Sequence, residues 1–143
     1  MDSRQLNFSH LLYLTGHHWR LAVNRRLKGL GMSQASWVAV SAIARHEQPL
    51  SQSELAQELG VESATLVPLL NRLVDVGLVE RIKTERYKRK RLLIATAKGL
   101  EVYQQVKTVA DDLREEILTA ITPEEQRQTQ RVLEKLLREV EKK

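Results

Sequence analysis

Leu50-Ser-Gln-Ser-Glu-Leu-Ala-Gln-Glu-Leu-Gly60-Val-Glu-Ser-Ala-Thr-Leu-Val-Pro-Leu-Leu70-Asn-Arg-Leu-Val-Asp-Val-Gly77 is the stretch that decides the fold. It opens on a capping box, Ser51-Gln-Ser-Glu54, in which an N-cap hydroxyl and an N3 carboxylate satisfy free amides reciprocally. Leu55, Ala56 and Leu59 form the buried stripe of a short helix, and Gly60 stops it. The spacing predicts a second helix over about 62–76, with Gly77 as its C-terminal cap. At helical spacing Leu66, Leu69, Leu70 and Leu73 share the inward face, while Ala64, Val67, Pro68 and Asn71 point outward. The outward face carries almost no charge, and Pro68 breaks a local rule, because a mid-helix proline costs about 3 kcal/mol. Its position on the predicted contact face favours a role in docking over neutral drift.

Immediately downstream, 78–82 and 92–95 are short and apolar, and read as two antiparallel strands. Over 81–91, Arg81, Lys83, Arg86, Lys88, Arg89, Lys90 and Arg91 stand against only Glu85, leaving +6 over eleven residues. The whole chain carries +5, so the other 132 residues sum to −1. No Asn-Gly type turn signal is present, which predicts a longer, mobile joining loop. A positive excess gathered in one short segment is the electrostatic mark of a polyanion partner; a merely solvated basic loop is the bland alternative.

Upstream, Phe8, Leu11, Leu12, Trp19, Ala22, Val23, Leu27 and Leu30 recur at threes and fours, marking a long amphipathic helix ended by Gly29 and Gly31. Ser33 fits the N-cap of a second helix running toward His46. Past the strands, Val102, Val106, Val109, Leu113 and Ile117 keep helical spacing from about 97 to 121. Thr122-Pro-Glu-Glu125 is another capping box, and Val132, Leu133, Leu136, Leu137 and Val140 share one side of the last helix. The order is therefore ααααββαα, a mainly α fold with a small β-hairpin wing: a winged helix-turn-helix.

Such an assembly has a use. A capped short helix braces a second one, which fits a major groove about 12 Å wide, while a basic hairpin reaches sideways to phosphates or a minor groove. The DNA-facing candidates are Ser51, Ser53, Ser63 and Thr65 at helix starts, Ala64, Val67, Pro68 and Asn71 on the outward face, Arg72 at the far end, and Lys88, Arg89 and Lys90 in the wing. For Ser51 simple capping is the stronger reading; for Ser63 and Thr65 capping and phosphate binding stand level. Arg72 suits a phosphate or a neighbouring carboxylate.

Residues 50–81 resemble the MarR family of bacterial regulators, and Trp19-Arg20, Arg26-Leu-Lys28 and Met32-Ser-Gln-Ala-Ser-Trp37 resemble its SlyA-like branch. The likeness extends to Ala95-Thr-Ala-Lys-Gly99. It implies a homodimer joined through its first and last helices (1–32 and 100–143), with 33–99 as the DNA-binding region on a palindromic operator, often released by small aromatic acids. Family wings commonly carry Asp-Arg-Arg about nine residues before the closing Thr; here Tyr87-Lys88-Arg89 stands there before Thr96. Arg89 keeps a guanidinium suited to a narrow minor groove, but the acidic partner is gone. Leu66-Val-Pro-Leu-Leu70 also resembles the peroxide-sensing branch, whose sensors need a reactive cysteine; this chain has none.

An effector pocket is expected between the dimer helices and the winged region, where Tyr13, His17, Arg20, Met32 and Trp37 bring rings and cations that suit an aromatic carboxylate. Ordinary packing of Met32 and Trp37, with His17 and Arg20 facing solvent, is the competing account. His10, His17, His18 and His46 have no zinc-site spacing. No nucleophile motif, phosphate loop or cofactor signature points to an enzyme. The start of the chain lacks a secretory pattern and no apolar run approaches a membrane span, which suggests a cytoplasmic protein with double-stranded DNA as its partner. The rival is a helical protein-interaction adaptor, which would have no need to concentrate its positive charge at a hairpin.

Overall fold

A computed structural model describes residues 5–84 and 87–143, with no side-chain placement described over 84–90. Its elements begin at polar caps. Asn7 Oδ1 accepts from the His10 amide at 2.8 Å and starts α1 (Phe8–Leu27). A 3-10 turn over Lys28–Leu30 and then Gly31 close it. Ser33 Oγ accepts from the Ser36 amide at 3.2 Å and starts α2 (Gln34–Arg45). Ser51 and Glu54 form the full capping box of α3 (Gln52–Leu59), each bond 3.1 Å long. Then follow α4 (Ser63–Asp75), β2 (Val79–Thr84), β3 (Tyr87–Ala95), α5 (Ala97–Leu118) and α6 (Pro123–Glu141), the last opened by the Thr122–Glu125 box with Pro123 in its first turn.

A two-residue strand that periodicity did not indicate, β1 (Leu50–Ser51), makes the sheet three-stranded and antiparallel in the order β1-β3-β2. Leu50 pairs with Leu93 and Val79 with Ala95. The expected long wing loop is corrected. Thr84 pairs with Tyr87, so the basic run over 87–91 is strand, and a register irregularity falls between Ile82 and Thr84. Backbone pairing alone sustains a two-stranded ribbon, which need not bury either face; the run therefore lacks the alternation by which a strand is read.

The chain divides into two compact units, one ending at Val109 and the other running Ala110–Lys143, so α5 contributes to both. In the first, Ala39, Val40 and Ile43 of α2, Leu55 of α3, Leu66, Leu70 and Leu73 of α4 and Val79 and Leu93 of the sheet form one core. Leu55 and Leu70 are fully enclosed. Each such leucine contributes about 1.5–3 kcal/mol, enough together to fix which side of α4 faces in. In the second unit, Val132, Leu133, Leu137 and Val140 of α6 are exposed.

Candidate nucleic-acid interface

Burial orients α4 as its leucine spacing requires. Leu66, Leu69, Leu70 and Leu73 are buried, while Ala64, Thr65, Val67, Pro68, Asn71 and Arg72 are exposed. Gly77 (φ 81°) closes the helix in the left-handed region, with the Leu78 amide reaching back to the Leu73 carbonyl at 2.9 Å. Leu78 and Val79, both buried, then turn the chain directly into the wing.

The wing is anchored at its base. Thr96 Oγ1 donates to the Gly77 carbonyl and accepts from the Gly99 amide at 3.0 Å, while Lys98 Nζ donates to the Val76 carbonyl at 3.0 Å. Gly99 is required there, because a Cβ would collide with the Leu78 carbonyl oxygen. The end of α4, the wing stem and the start of α5 are thus locked to one another.

At the other end of α4, Gln52 Nε2 donates to the Ser63 carbonyl at 2.9 Å and to its hydroxyl at 3.3 Å, tying α3 to the first turn of α4. The N-cap of α4 is Glu62, which makes no side-chain cap, so neither Ser63 nor Thr65 serves as one. Ser51 Oγ is committed to the α3 box, and Ser53 is exposed in the first turn of α3. Arg72 has no carboxylate partner among the described residues. Arg45 and His46, at the end of α2, hold Glu58 of α3 at 3.1 and 2.8 Å. Burial alone would raise the Glu58 pKa, but the hydrogen bonds and charge of His46 and Arg45 outweigh it and lower it. Lys88, Arg89 and Lys90 lie on β3, and their side chains fall outside the described residues.

Sequence reasoning missed two residues. Gln52 carried no pattern of its own. Arg81 was counted only as charge, yet it donates from Nη2 to Asn71 Oδ1 at 2.8 Å, joining β2 to the outward face of α4.

Of the expected effector residues, Tyr13, His17 and Arg20 lie on α1, Trp37 lies on α2, and Met32 lies just before it. An open pocket of about 550 Å³ lies beside α4, lined by Arg20, Val38, Leu59, Thr65, Leu69 and Arg72 among others. Of the five candidates only Arg20 lines it. Tyr13 and His17 stack on each other along α1, with centroids 5.6 Å apart. Met32 packs on the core, and Trp37 Nε1 donates to Asn24 Oδ1 at 3.2 Å.

With this geometry in place, comparison with known proteins is decisive. Residues 30–90 match the MarR family model. A crystal structure of a transcriptional regulator, PA3341, is 36% identical over 96% of this chain and 100% of that one, with a TM-score of 0.87. The chain belongs to the MarR family. Wild-type MarR of E. coli without ligand is 26% identical over 92% of this chain and 98% of its own, at a TM-score of 0.80. The MepR–DNA complex of S. aureus, 19% identical over 94% of this chain and 99% of that one, has a TM-score of 0.80 and speaks to the MarR fold alone. Among the described residues no helix is long and apolar enough to cross a membrane.

Proposed function

We propose that this MarR-family protein is a cytoplasmic, sequence-specific regulator that binds double-stranded DNA as a homodimer on a pseudo-palindromic operator, acting as a repressor or anti-repressor. One observation carries the reading: the exposed residues Ala64, Val67, Pro68 and Asn71 of α4 carry no charge and sit next to a ribbon that holds the chain's entire positive excess. Apolar groups such as Ala64 and Val67 suit thymine methyls, Asn71 suits base edges, and Ser53, Ser63, Thr65 and Arg72 suit the flanking phosphates. Lys88, Arg89 and Lys90 belong to the wing's contact with backbone or minor groove. A MarR-fold relative bound to DNA supports this mode.

The dimer draws support from the exposed apolar stripe of α6, which water alone would leave costly. In this reading 1–32 and 100–143 join the two copies and 33–99 meets DNA. The SlyA-like placement rests on Trp19-Arg20 and Met32–Trp37. Selection from random duplexes tests the function: two related half-sites about 10 bp apart, or a multiple, are expected. A selected pool with no common sequence would contradict it.

The pocket beside α4 supports a small aromatic carboxylate as effector. Two guanidinium groups, Arg20 and Arg72, border apolar Val38, Leu59 and Leu69, and its wall includes Thr65 and Pro68 of the reading helix itself. Calorimetry with salicylate should give a signal that Arg72→Ala weakens; no heat at millimolar ligand would remove this part.

A further inference from the structure

The contact between Arg81 and Asn71 has a chemical direction. A guanidinium carries donors and no acceptor, so the amide atom 2.8 Å from Arg81 Nη2 must be the Asn71 oxygen. The amide NH2 is thereby turned away from Arg81, and Asn71 is exposed on the outward face of α4. An unrestrained asparagine in a major groove matches adenine with both ends, accepting from N6 and donating to N7. Held by Arg81, the Asn71 oxygen has one lone pair engaged and is turned toward the wing strand, so the amide is no longer free to take up the two-ended adenine geometry. The end of the amide left away from the wing strand is its NH2, which only donates.

We infer that Arg81 sets the base preference of Asn71, so that the pair reads guanine, whose major-groove edge offers the two acceptors N7 and O6, in place of adenine. Arg81 is a positioning residue that acts through the orientation of the Asn71 amide. The inference rests on the proposal that α4 reads duplex DNA. It also gives the first strand of the wing a part in sequence readout, beyond holding the basic ribbon.

Selection from random duplexes with the full chain and three variants tests it. The base pair beneath residue 71 is the one whose preference disappears in Asn71→Ala. There the unaltered chain should favour guanine over adenine by about tenfold. Arg81→Met keeps the aliphatic stem and loses the donors; its preference should move to adenine. Arg81→Lys still donates only and should keep guanine. Helical circular dichroism establishes that each variant is folded. Independently of any variant of Arg81, replacing that guanine by 7-deazaguanine should weaken binding of the unaltered chain about tenfold and leave Asn71→Ala unaffected. An adenine preference in the unaltered chain, the same base selected by Arg81→Met, or indifference to 7-deazaguanine would overturn the inference while leaving DNA reading intact. A pool without any shared sequence would overturn both.

Discussion

Single side chains do three different jobs around α4: they face inward as core, face outward to solvent, or tie one element to the next. The first two were legible in the sequence. Four leucines at helical spacing leave only one way to place Ala64, Val67, Pro68 and Asn71, and burial agrees. The ties were not legible, because Gln52–Ser63 and Arg81–Asn71 span eleven and ten residues and exist only once two turns have brought separate elements together. The same holds for Trp37, whose indole N–H finds Asn24 on another helix. Gly99 exposes this dependence on tertiary structure most sharply: no local pattern requires glycine in the first turn of α5, yet the Leu78 carbonyl occupies the space a Cβ would take. Gly99→Ala should therefore destabilise the protein by about 1–3 kcal/mol, the cost of forcing atoms into a packed site. Thermal unfolding measures this, and an unchanged midpoint would contradict the close approach.

Each element shows how strong its own signal was. The capped helices declared themselves through hydroxyl and carboxylate at fixed spacing, and both capping boxes form. The sheet was half visible. Leu92 to Ala95 read as strand because they are apolar, whereas 87–91 are polar and two residues of β1 are too few to show a period. Two element-level predictions follow from this geometry. Pro68 lacks the amide that the Ala64 carbonyl would otherwise accept from, and both residues are exposed. Pro68→Ala should stabilise the protein by about 1–3 kcal/mol and weaken binding to a selected operator, since proline is costly in a helix interior. A lower melting temperature would refute the first half and unchanged affinity the second. The α2–α3 brace gives a pH dependence. The Glu58 pKa is lowered in the folded chain by His46 and Arg45 against the opposing effect of burial. Its contribution to stability is present above the unfolded value of about 4.3 and is lost as pH falls through the lowered folded value. Glu58→Gln should thus be slightly less stable than the unaltered chain at pH 7, with the gap closing in acid. The gap should stay small, because both side chains are a third or more exposed. A gap that widened in acid would show that the carboxylate is not held by these partners.

For the whole molecule, the proposed function follows from where charge is placed. Outside Arg81–Arg91 the chain is nearly neutral, so the ribbon dominates its field and any polyanion should meet the molecule on that side. Two copies related by a twofold axis would present two reading helices and two ribbons to one duplex, converting weak phosphate contacts into a register in which Asn71 and Arg81 can discriminate bases. Affinity for duplex DNA across a salt series, compared between the unaltered chain and a Lys88/Arg89/Lys90→Ala variant, tests this most directly. The six wing cations of two copies should contribute about −5 to the slope of log affinity against log salt, so the variant's slope should be shallower by about that much. Parallel lines for the two proteins, or binding insensitive to salt, would contradict the role of the ribbon in holding DNA.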